Sequence, residues 1–165
     1  MPASPFVMSV LLAVSIPTAL ALATPAPGQS APTPNDEAAI RSVMAAYNSA
    51  LNGGKTAAVL PLYTEDGVFM APYSQSAIGE DAVRRAYDAV FEELKFDVKF
   101  DIAEIIQMAP TYAYVRTNSV GTTAHRPTGR TTAEANQELF IFKKGDDQKW
   151  RIARYSFSPI KPPSN

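Results

Sequence analysis

The first part of the charged region has the hydrophobic periodicity of a helix. Apolar residues fall three or four positions apart, which predicts a helix with one buried face: Ile40, Val43, Met44, Tyr47 and Leu51. Pro34, followed by Asn35, Asp36 and Glu37, marks the first turn, because proline and acidic groups favour helix N-termini. Asn52-Gly53-Gly54 supplies the stop signal at the other end.

Two further helices are predicted before residue 95. A short one covers Thr56 to Tyr63 and is broken near Pro61. A strand from Gly67 to Ala71 follows it, and Pro72 ends that strand. After a polar loop, a third helix from about Glu80 to Glu93 has its apolar positions at Val83, Tyr87, Val90, Phe91 and Leu94.

Beyond Lys95 the hydrophobic period changes to two, which predicts strands. Four are predicted, over residues 96–106, 112–123, 131–144 and 149–158. Gly145-Asp146-Asp147 is a tight hairpin signal between the last two. Helices in one half and a strand meander in the other predict an α+β domain, with the helices on one face of a curved antiparallel sheet.

Charge divides the chain into two parts. The 165 residues carry a formal net charge of −1, and the first 35 have no charged side chain. Within that part, an apolar run from Phe6 ends in the small-x-small triplet Ala21-Leu22-Ala23, which predicts a signal peptide over residues 1–23. A Pro/Ala-rich linker (24–34), a domain (35–158) and a flexible tail (159–165) complete the predicted organisation.

Cleavage of such a segment predicts a secreted or periplasmic protein with no stable membrane association. No Lys or Arg precedes the apolar run, so an uncleaved anchor, or a disordered tail from a misassigned start, remain as alternatives. Pro17 and Ser15 within a run barely long enough to span a bilayer weigh against an anchor.

Composition excludes several classes of function. A near-zero charge without a basic run argues against nucleic acid as the partner. The absence of cysteine removes disulfides, thiolate zinc sites and cysteine nucleophiles. One histidine, His125, cannot form a two-histidine metal site, so we expect neither a metal nor an organic cofactor.

Four segments in this order resemble the SnoaL-like part of the nuclear transport factor 2-like superfamily. They are 45–54 (AAYNSALNGG), 62–72 (LYTEDGVFMAP), 79–87 (GEDAVRRAY) and the last hairpin, with 138–142 (ELFIF) and 150–152 (WRI). The resemblance implies a cone, in which a bent sheet wraps around three N-terminal helices and encloses a pocket. It also implies a homodimer paired through the sheet. Members of the family include both enzymes and binding domains, so the fold alone does not give the function.

The resemblance to the ketosteroid isomerase branch of the superfamily implies candidate catalytic residues. There a first-helix tyrosine and a late-strand acid stabilise an oxyanion, and an aspartate before a proline moves the proton. The resemblance places Tyr47 and Glu138 at the first two positions as candidate catalytic residues. The residue before Pro72 is Ala71, so the usual base is absent. Tyr47 lies on the apolar stripe of its helix, and a purely structural role in the core is the alternative.

Further candidates are expected to line the same pocket. Asn136 shares the strand face of Glu138, and Arg116, with Tyr114 and Asn118, is expected to face Glu138 from the neighbouring strand. If Arg116 and Glu138 pair, the acid stays ionised and the pair becomes a clamp for a ligand carboxylate or hydroxyl. The aromatic side chains expected to line an apolar cavity are Phe69, Tyr73, Tyr114 and Tyr155.

Two hypotheses follow. In the first, an exported domain without an evident catalytic base binds an apolar small molecule, with another protein as the alternative ligand. In the second, the protein is a cofactor-free isomerase, dehydratase or cyclase that uses Tyr47 and Glu138 as acid and oxyanion stabilisers. His125, expected in a hairpin loop, is a lesser candidate for a base at the pocket mouth.

Overall fold

The computed structural model describes residues 33–162, and three helices lie in its first half. They are α1 (Pro34–Gly53), α2 (Thr56–Val59) and α3 (Glu80–Glu93), with a 3₁₀ turn (Leu60–Leu62) directly after α2. Thr33 caps α1, since its hydroxyl accepts a hydrogen bond from the Asp36 backbone N–H at 3.2 Å. Gly54, at φ 59°, ends α1 in the left-handed conformation that glycine adopts without strain. The predicted limits of α1 and α3 agree with these.

Six strands form one sheet in the order β2-β1-β6-β5-β4-β3. Their bounds are β1 (Tyr63–Met70), β2 (Ala77–Ile78), β3 (Leu94–Ala109), β4 (Tyr112–His125), β5 (Thr131–Lys144) and β6 (Trp150–Pro159). Every neighbouring pair is antiparallel except β1 and β6, which run parallel, so the sheet is mixed rather than wholly antiparallel. The sequence could not show this pairing, because residues 71–149 separate the two strands along the chain. The two-residue β2 lies in what the pattern indicates is a polar loop.

The sheet is curved, and its concave face holds the core. The β3–β4 register shifts between Ile102 and Glu104 and again near Gln107, and such bulges bend and twist strands. The largest fully buried side chains lie between this face and the helices: Tyr47, Tyr87, Phe140, Phe142, Ile40 and Ile152. The three helices and curved sheet confirm the predicted α+β class.

Two amides of α1 attach the helix to the sheet edge. Asn48 and Asn52 each donate from Nδ2 to the backbone oxygen of Val98 at 2.8 Å. In return the backbone N–H of Val98 donates to Asn52 Oδ1 at 3.0 Å, and that of Phe100 donates to Asn48 Oδ1 at 3.4 Å. These bonds satisfy polar groups of the edge strand β3 that would otherwise be open to another chain. They also fix the rotation of α1, so that Tyr47 faces the interior.

The other end of α1 is fastened to the last hairpin through Asp36. Its Oδ1 accepts hydrogen bonds from Trp150 Nε1 at 2.9 Å and from Lys144 Nζ at 2.8 Å. The hydrogen bond from Lys144, and then that from Trp150, lower the pKa of Asp36 below its usual value. Trp150 is thus a buried part of the core with its indole N–H satisfied.

The predicted signal peptide (1–23) and the linker as far as residue 32 lie outside the described residues, as do the last three positions of the predicted tail. At the start of that tail, β6 includes Pro159, and the Ile160 N–H donates to the Ala135 oxygen at 2.9 Å. Across residues 33–162, no helix is both long enough and apolar enough to cross a bilayer.

Candidate functional site

A cavity of about 190 Å³ lies between α1, α3 and the concave face of the sheet. Its apolar lining consists of Leu51, Phe69, Ala71, Val90, Leu94, Phe96, Val98, Phe100 and Phe157. Its polar lining consists of Tyr47, Tyr87, Ser119, Glu134, Asn136, Glu138 and Tyr155. Two wider clefts, of about 410 and 460 Å³, lie against β1 and Arg151 and contain none of the predicted site residues. An apolar cavity with a few converging polar groups is the usual form of a small-molecule site.

Glu138 is the most buried acid of the cavity, with only 3% of its surface exposed. In the β4–β5 register it lies opposite Thr117. The Thr117 hydroxyl donates to Glu138 Oε2 at 2.5 Å, and the Ser119 hydroxyl donates to Oε1. Burial raises the pKa of Glu138, and the two hydroxyl hydrogen bonds partly oppose that rise. Glu138 therefore keeps its proton to a higher pH than an exposed glutamate does.

A continuous line of polar groups extends from Glu138 toward solvent along β5. Asn136 Nδ2 lies 3.4 Å from Ser119 Oγ and donates to Glu134 Oε1 at 2.9 Å. Glu134, Asn136 and Glu138 alternate along the strand, so all three face the cavity, and Glu134 is half-exposed. Glu134 is not among the predicted site residues, although the same alternation that places Asn136 beside Glu138 also places Glu134 there.

Four tyrosines, Tyr47, Tyr63, Tyr87 and Tyr155, form a cluster at the inner wall. The hydroxyls of Tyr47 and Tyr87 share a hydrogen bond of 2.8 Å, and those of Tyr87 and Tyr63 share one of 2.9 Å. Burial raises the pKa of each of the four hydroxyls well above the ordinary tyrosine value. The nearby charge of Glu138 raises the pKa of Tyr47 and Tyr155 further. The cluster is therefore neutral at ordinary pH, where its hydroxyls can donate hydrogen bonds but cannot act as bases.

Flat aromatic rings form another wall of the cavity. Phe69 stacks on Tyr155 with ring centroids 5.5 Å apart, and Tyr155 stacks on Phe157 at 5.7 Å. Behind them, Phe140 lies almost parallel to Tyr155 at 4.1 Å. Such a wall favours a ligand with a flat or ring-shaped apolar part.

Five of the nine predicted site residues lie in this cavity: Tyr47, Phe69, Asn136, Glu138 and Tyr155. Tyr47 contributes to the cavity wall and is also a core residue, since it is 1% exposed. The catalytic and ligand-binding roles of these residues remain predictions.

Placing Tyr114, Arg116 and Asn118 in the pocket was wrong. They lie on the convex face of β4, because Thr117 is the residue opposite Glu138 and its neighbours along the strand point the other way. Arg116 Nε donates to Glu104 at 2.9 Å on that outer face instead of pairing with Glu138. The proposed clamp for a ligand carboxylate is therefore absent.

Placing Tyr73 in the cavity lining was also wrong, because it is fully exposed in the turn after Pro72, at φ 59°. Ala71 does line the cavity and offers no titratable group there. His125 is the last residue of β4 and not part of the predicted hairpin loop. It is not among the residues that line the cavity.

No group of three or more His, Asp or Glu side chains is placed to hold a metal ion in the described part of the chain. The polar groups that line the cavity are two carboxyl groups, three tyrosine hydroxyls, the Ser119 hydroxyl and the Asn136 amide.

The comparisons with known proteins agree with the fold. A ketosteroid isomerase-like protein from Erwinia carotovora atroseptica is 37% identical, with a TM-score of 0.75 over 79% of this chain and 100% of its own. At 24% identity, a conserved protein from Planctomyces limnophilus has a TM-score of 0.67 over 76% of this chain and 98% of its own. A domain with a cystatin-like fold from Nostoc punctiforme, 16% identical, has a TM-score of 0.65 over 79% of this chain and 80% of its own.

Among curated proteins, none matches the sequence significantly. The family model of the SnoaL-like domain matches residues 44–153, which include the second half of α1, all of α3 and strands β1 to β5. The chain therefore belongs to the SnoaL-like domain family, as the four sequence segments predict.

Proposed function

We propose that the cavity binds a compact, mostly apolar molecule that carries a polar group able to reach Glu138. The observation that carries this proposal is an acid, 3% exposed, on the wall of a mostly apolar cavity. Burying a carboxyl group is costly unless it is hydrogen-bonded, and Glu138 has only two hydroxyl partners and no cation within the described residues. A ligand can use the remaining hydrogen-bonding capacity of the carboxyl group.

The size of the cavity limits the ligand. Its volume of about 190 Å³ is below the roughly 300–1,000 Å³ that is usual for sites of drug-sized molecules. One ring with a short substituent suits that space, and a molecule of several fused rings does not. The stacked wall of Phe69, Tyr155 and Phe157 supports a ring.

The family membership supports a small-molecule-binding or isomerase-type domain. The 37% identical relative carries the description ketosteroid isomerase-like, and the likeness extends over all of that relative. This supports the general class of ligand site. The identity of the ligand here is inferred from the cavity alone.

A second candidate function is that of a cofactor-free isomerase, dehydratase or cyclase. The observation that favours it is that Tyr47 and Glu138 line one cavity, as a neutral hydroxyl donor and an acid with a raised pKa. Such a pair can stabilise a developing oxyanion. Ala71 stands where the ketosteroid isomerase branch has its aspartate base. Glu134 is the other carboxyl group of the cavity and is therefore the available proton acceptor.

Binding is tested by calorimetric titration of the full-length chain with one-ring alcohols and ketones, 2-phenylethanol and cyclohexanone. We expect saturable binding, and we expect Ala71→Phe to weaken it at least tenfold by filling the cavity. Leu139→Phe places the same ring on the convex face and serves as the matched control, with unchanged affinity expected. If Ala71→Phe fails to fold by circular dichroism, Glu138→Gln provides the second test. Affinities of Ala71→Phe and Glu138→Gln equal to that of the native chain would contradict the proposal.

Catalysis is tested with a one-ring β,γ-unsaturated ketone, 3-cyclohexen-1-one, whose conjugated product absorbs in the ultraviolet. We expect turnover to fall by a factor of at least about 100 in the combined Tyr47→Phe and Glu138→Gln variant, because donors at an oxyanion contribute this much individually. Turnover that persists in the double variant would remove both residues from the chemistry.

We propose further that the protein is exported, as the sequence predicts, and that it pairs as a homodimer, as the family resemblance implies. Mass spectrometry of the mature protein tests export, which predicts a new N-terminus near residue 24. An intact Met1 would contradict it. Sedimentation equilibrium tests the dimer, with twice the chain mass expected.

A further inference from the structure

The charged groups in the cavity wall all have one sign. Of the lining residues only Glu134 and Glu138 carry ionisable carboxyl groups, and none is a lysine, arginine or histidine. The ion pairs formed within residues 33–162 join other acids to cations, and none of them includes Glu134 or Glu138. The cavity therefore disfavours an anionic ligand by like-charge repulsion, with nothing in the wall to compensate it.

The rest of the wall favours a cation. The faces of aromatic rings carry partial negative charge, so they attract an ammonium group within about 6 Å. Phe69, Phe100, Tyr155 and Phe157 are among the aromatic residues that line the cavity. Carboxylates together with aromatic faces give a cation both an ion-pair partner and an apolar enclosure.

The two acids differ in depth, and this orients such a ligand. Glu134 is half-exposed and Glu138 is buried. Four residues of strand separate their Cα atoms by about 13 Å, so the two carboxyl groups lie at different depths of the cavity. Asn136 donates to one oxygen of Glu134 and so holds the carboxylate in place. The other oxygen of Glu134 accepts no hydrogen bond from the described residues.

We propose that the ligand is a compact aromatic or alicyclic amine whose ammonium group pairs with Glu134 while its ring lies against the stacked aromatic wall. This inference rests on the proposed function. It narrows the ligand from a mostly apolar molecule with any polar group to one whose polar group is a cation. The line of polar groups formed by Glu134, Asn136 and Glu138 then contacts one edge of the ligand. The rings of Tyr155 and Phe157 contact its face.

A matched set of ligands tests the charge. The compounds are 2-phenylethylammonium, 2-phenylethanol and phenylacetate, which keep the ring and short chain and change the charge of the end group. Calorimetric titration of the full-length chain at neutral pH and low salt is expected to rank them ammonium, alcohol, acetate. The expected preference for the ammonium over the alcohol is about tenfold, as befits a charge-assisted contact near the surface.

Glu134→Gln tests the residue. It keeps the shape and the hydrogen bond to Asn136 but removes the charge, so the ammonium is expected to lose about tenfold in affinity while the alcohol changes less than twofold. Glu104→Gln removes an acid from the convex face and is the matched control, with all three affinities unchanged. An alcohol that binds as tightly as the ammonium, or an ammonium affinity unchanged in Glu134→Gln, would overturn the inference.

The outcomes separate this inference from the proposed function. If the alcohol binds in the cavity and the ammonium shows no preference, small-molecule binding stands and the cationic ligand is rejected. If none of the three compounds binds and Ala71→Phe has no effect on any titration, both are rejected.

Discussion

The two faces of the β4–β5 pair carry charged groups of different kinds. On the convex face, Arg116 and Glu104 form an ion pair with half of the arginine side chain exposed. On the concave face, Glu138 is 3% exposed and is held by the hydroxyls of Thr117 and Ser119. Arg116 and Thr117, which are adjacent along β4, thus have opposite surroundings.

This difference shows on which face of the sheet a substitution is expected to affect folding and the cavity. An exposed ion pair is hydrated and screened, and typically contributes about 0–1 kcal/mol. A buried acid depends on each hydrogen-bond partner, because losing one leaves a desolvated group unsatisfied at a cost of about 1–3 kcal/mol. A residue on the concave face therefore influences both folding and any ligand, while its neighbour on the convex face influences neither strongly.

The largest contrast is expected between the adjacent residues Phe140 and Leu139. Phe140 is fully buried and stacks on Tyr155, whereas Leu139 is 44% exposed on the convex face. Phe140→Ala should lower the free energy of unfolding by about 3–5 kcal/mol, and Leu139→Ala by less than about 1 kcal/mol. Urea unfolding followed by circular dichroism measures both. Similar losses for the two variants would show that the faces are not distinguished by packing.

The next contrast is in pH dependence. Glu138 has a higher pKa in the folded chain than in the unfolded one, so its contribution to stability is present at low pH and falls as pH rises from the unfolded value toward the folded value. Glutamine does not ionise. Relative to the native chain, Glu138→Gln should therefore gain stability above the unfolded pKa, at up to about 1.4 kcal/mol per pH unit.

Urea unfolding between about pH 4 and pH 8 checks this expectation, because the interval brackets the usual range of carboxyl pKa values and their raised forms. The matched variant Glu104→Gln on the convex face should show a nearly constant difference from the native chain. A constant difference for Glu138→Gln as well would contradict the raised pKa.

The smallest effect is expected at Arg116. Arg116→Ala removes the exposed pair with Glu104 and should change the free energy of unfolding by less than about 1 kcal/mol. The change should shrink further in 1 M salt, where the screening length is about 3 Å. A larger, salt-independent loss would show that Arg116 supports the fold through packing rather than through charge.

Local patterns predicted most of the fold. The limits of α3 and β5 agree with the predicted Glu80–Glu93 and Thr131–Lys144, because long amphipathic segments carry strong periodic signals. The start of β1 was missed by four residues, since the strand begins at Tyr63 and the predicted one at Gly67. The register of β1 against β6 shifts between Tyr63 and Val68, and this irregular stretch has no clean alternation to detect.

Five of the nine predicted site residues line the cavity, and the errors on β4 again come from strand geometry that the local pattern does not specify. Tyr47 and Glu138 were found through a family resemblance, and Asn136 through alternation along β5. On β4 both faces mix polar and apolar residues, so the sequence does not show which face meets the cavity. The predicted face, with Tyr114, Arg116 and Asn118, is the convex one. The inner positions are small, as with Ser119, because they face the crowded concave side of a curved sheet.

The sequence by itself determined the three helices, every strand except β2, their order and the family, since these depend on periodicity, turn residues and short segments that neighbouring residues specify. Only the tertiary structure decided which face of β4 meets Glu138, that β1 pairs in parallel with β6, and that Glu134 joins the cavity. The physical reason is register. Moving one strand by a single residue leaves its local pattern unchanged but turns every side chain to the other face of the sheet.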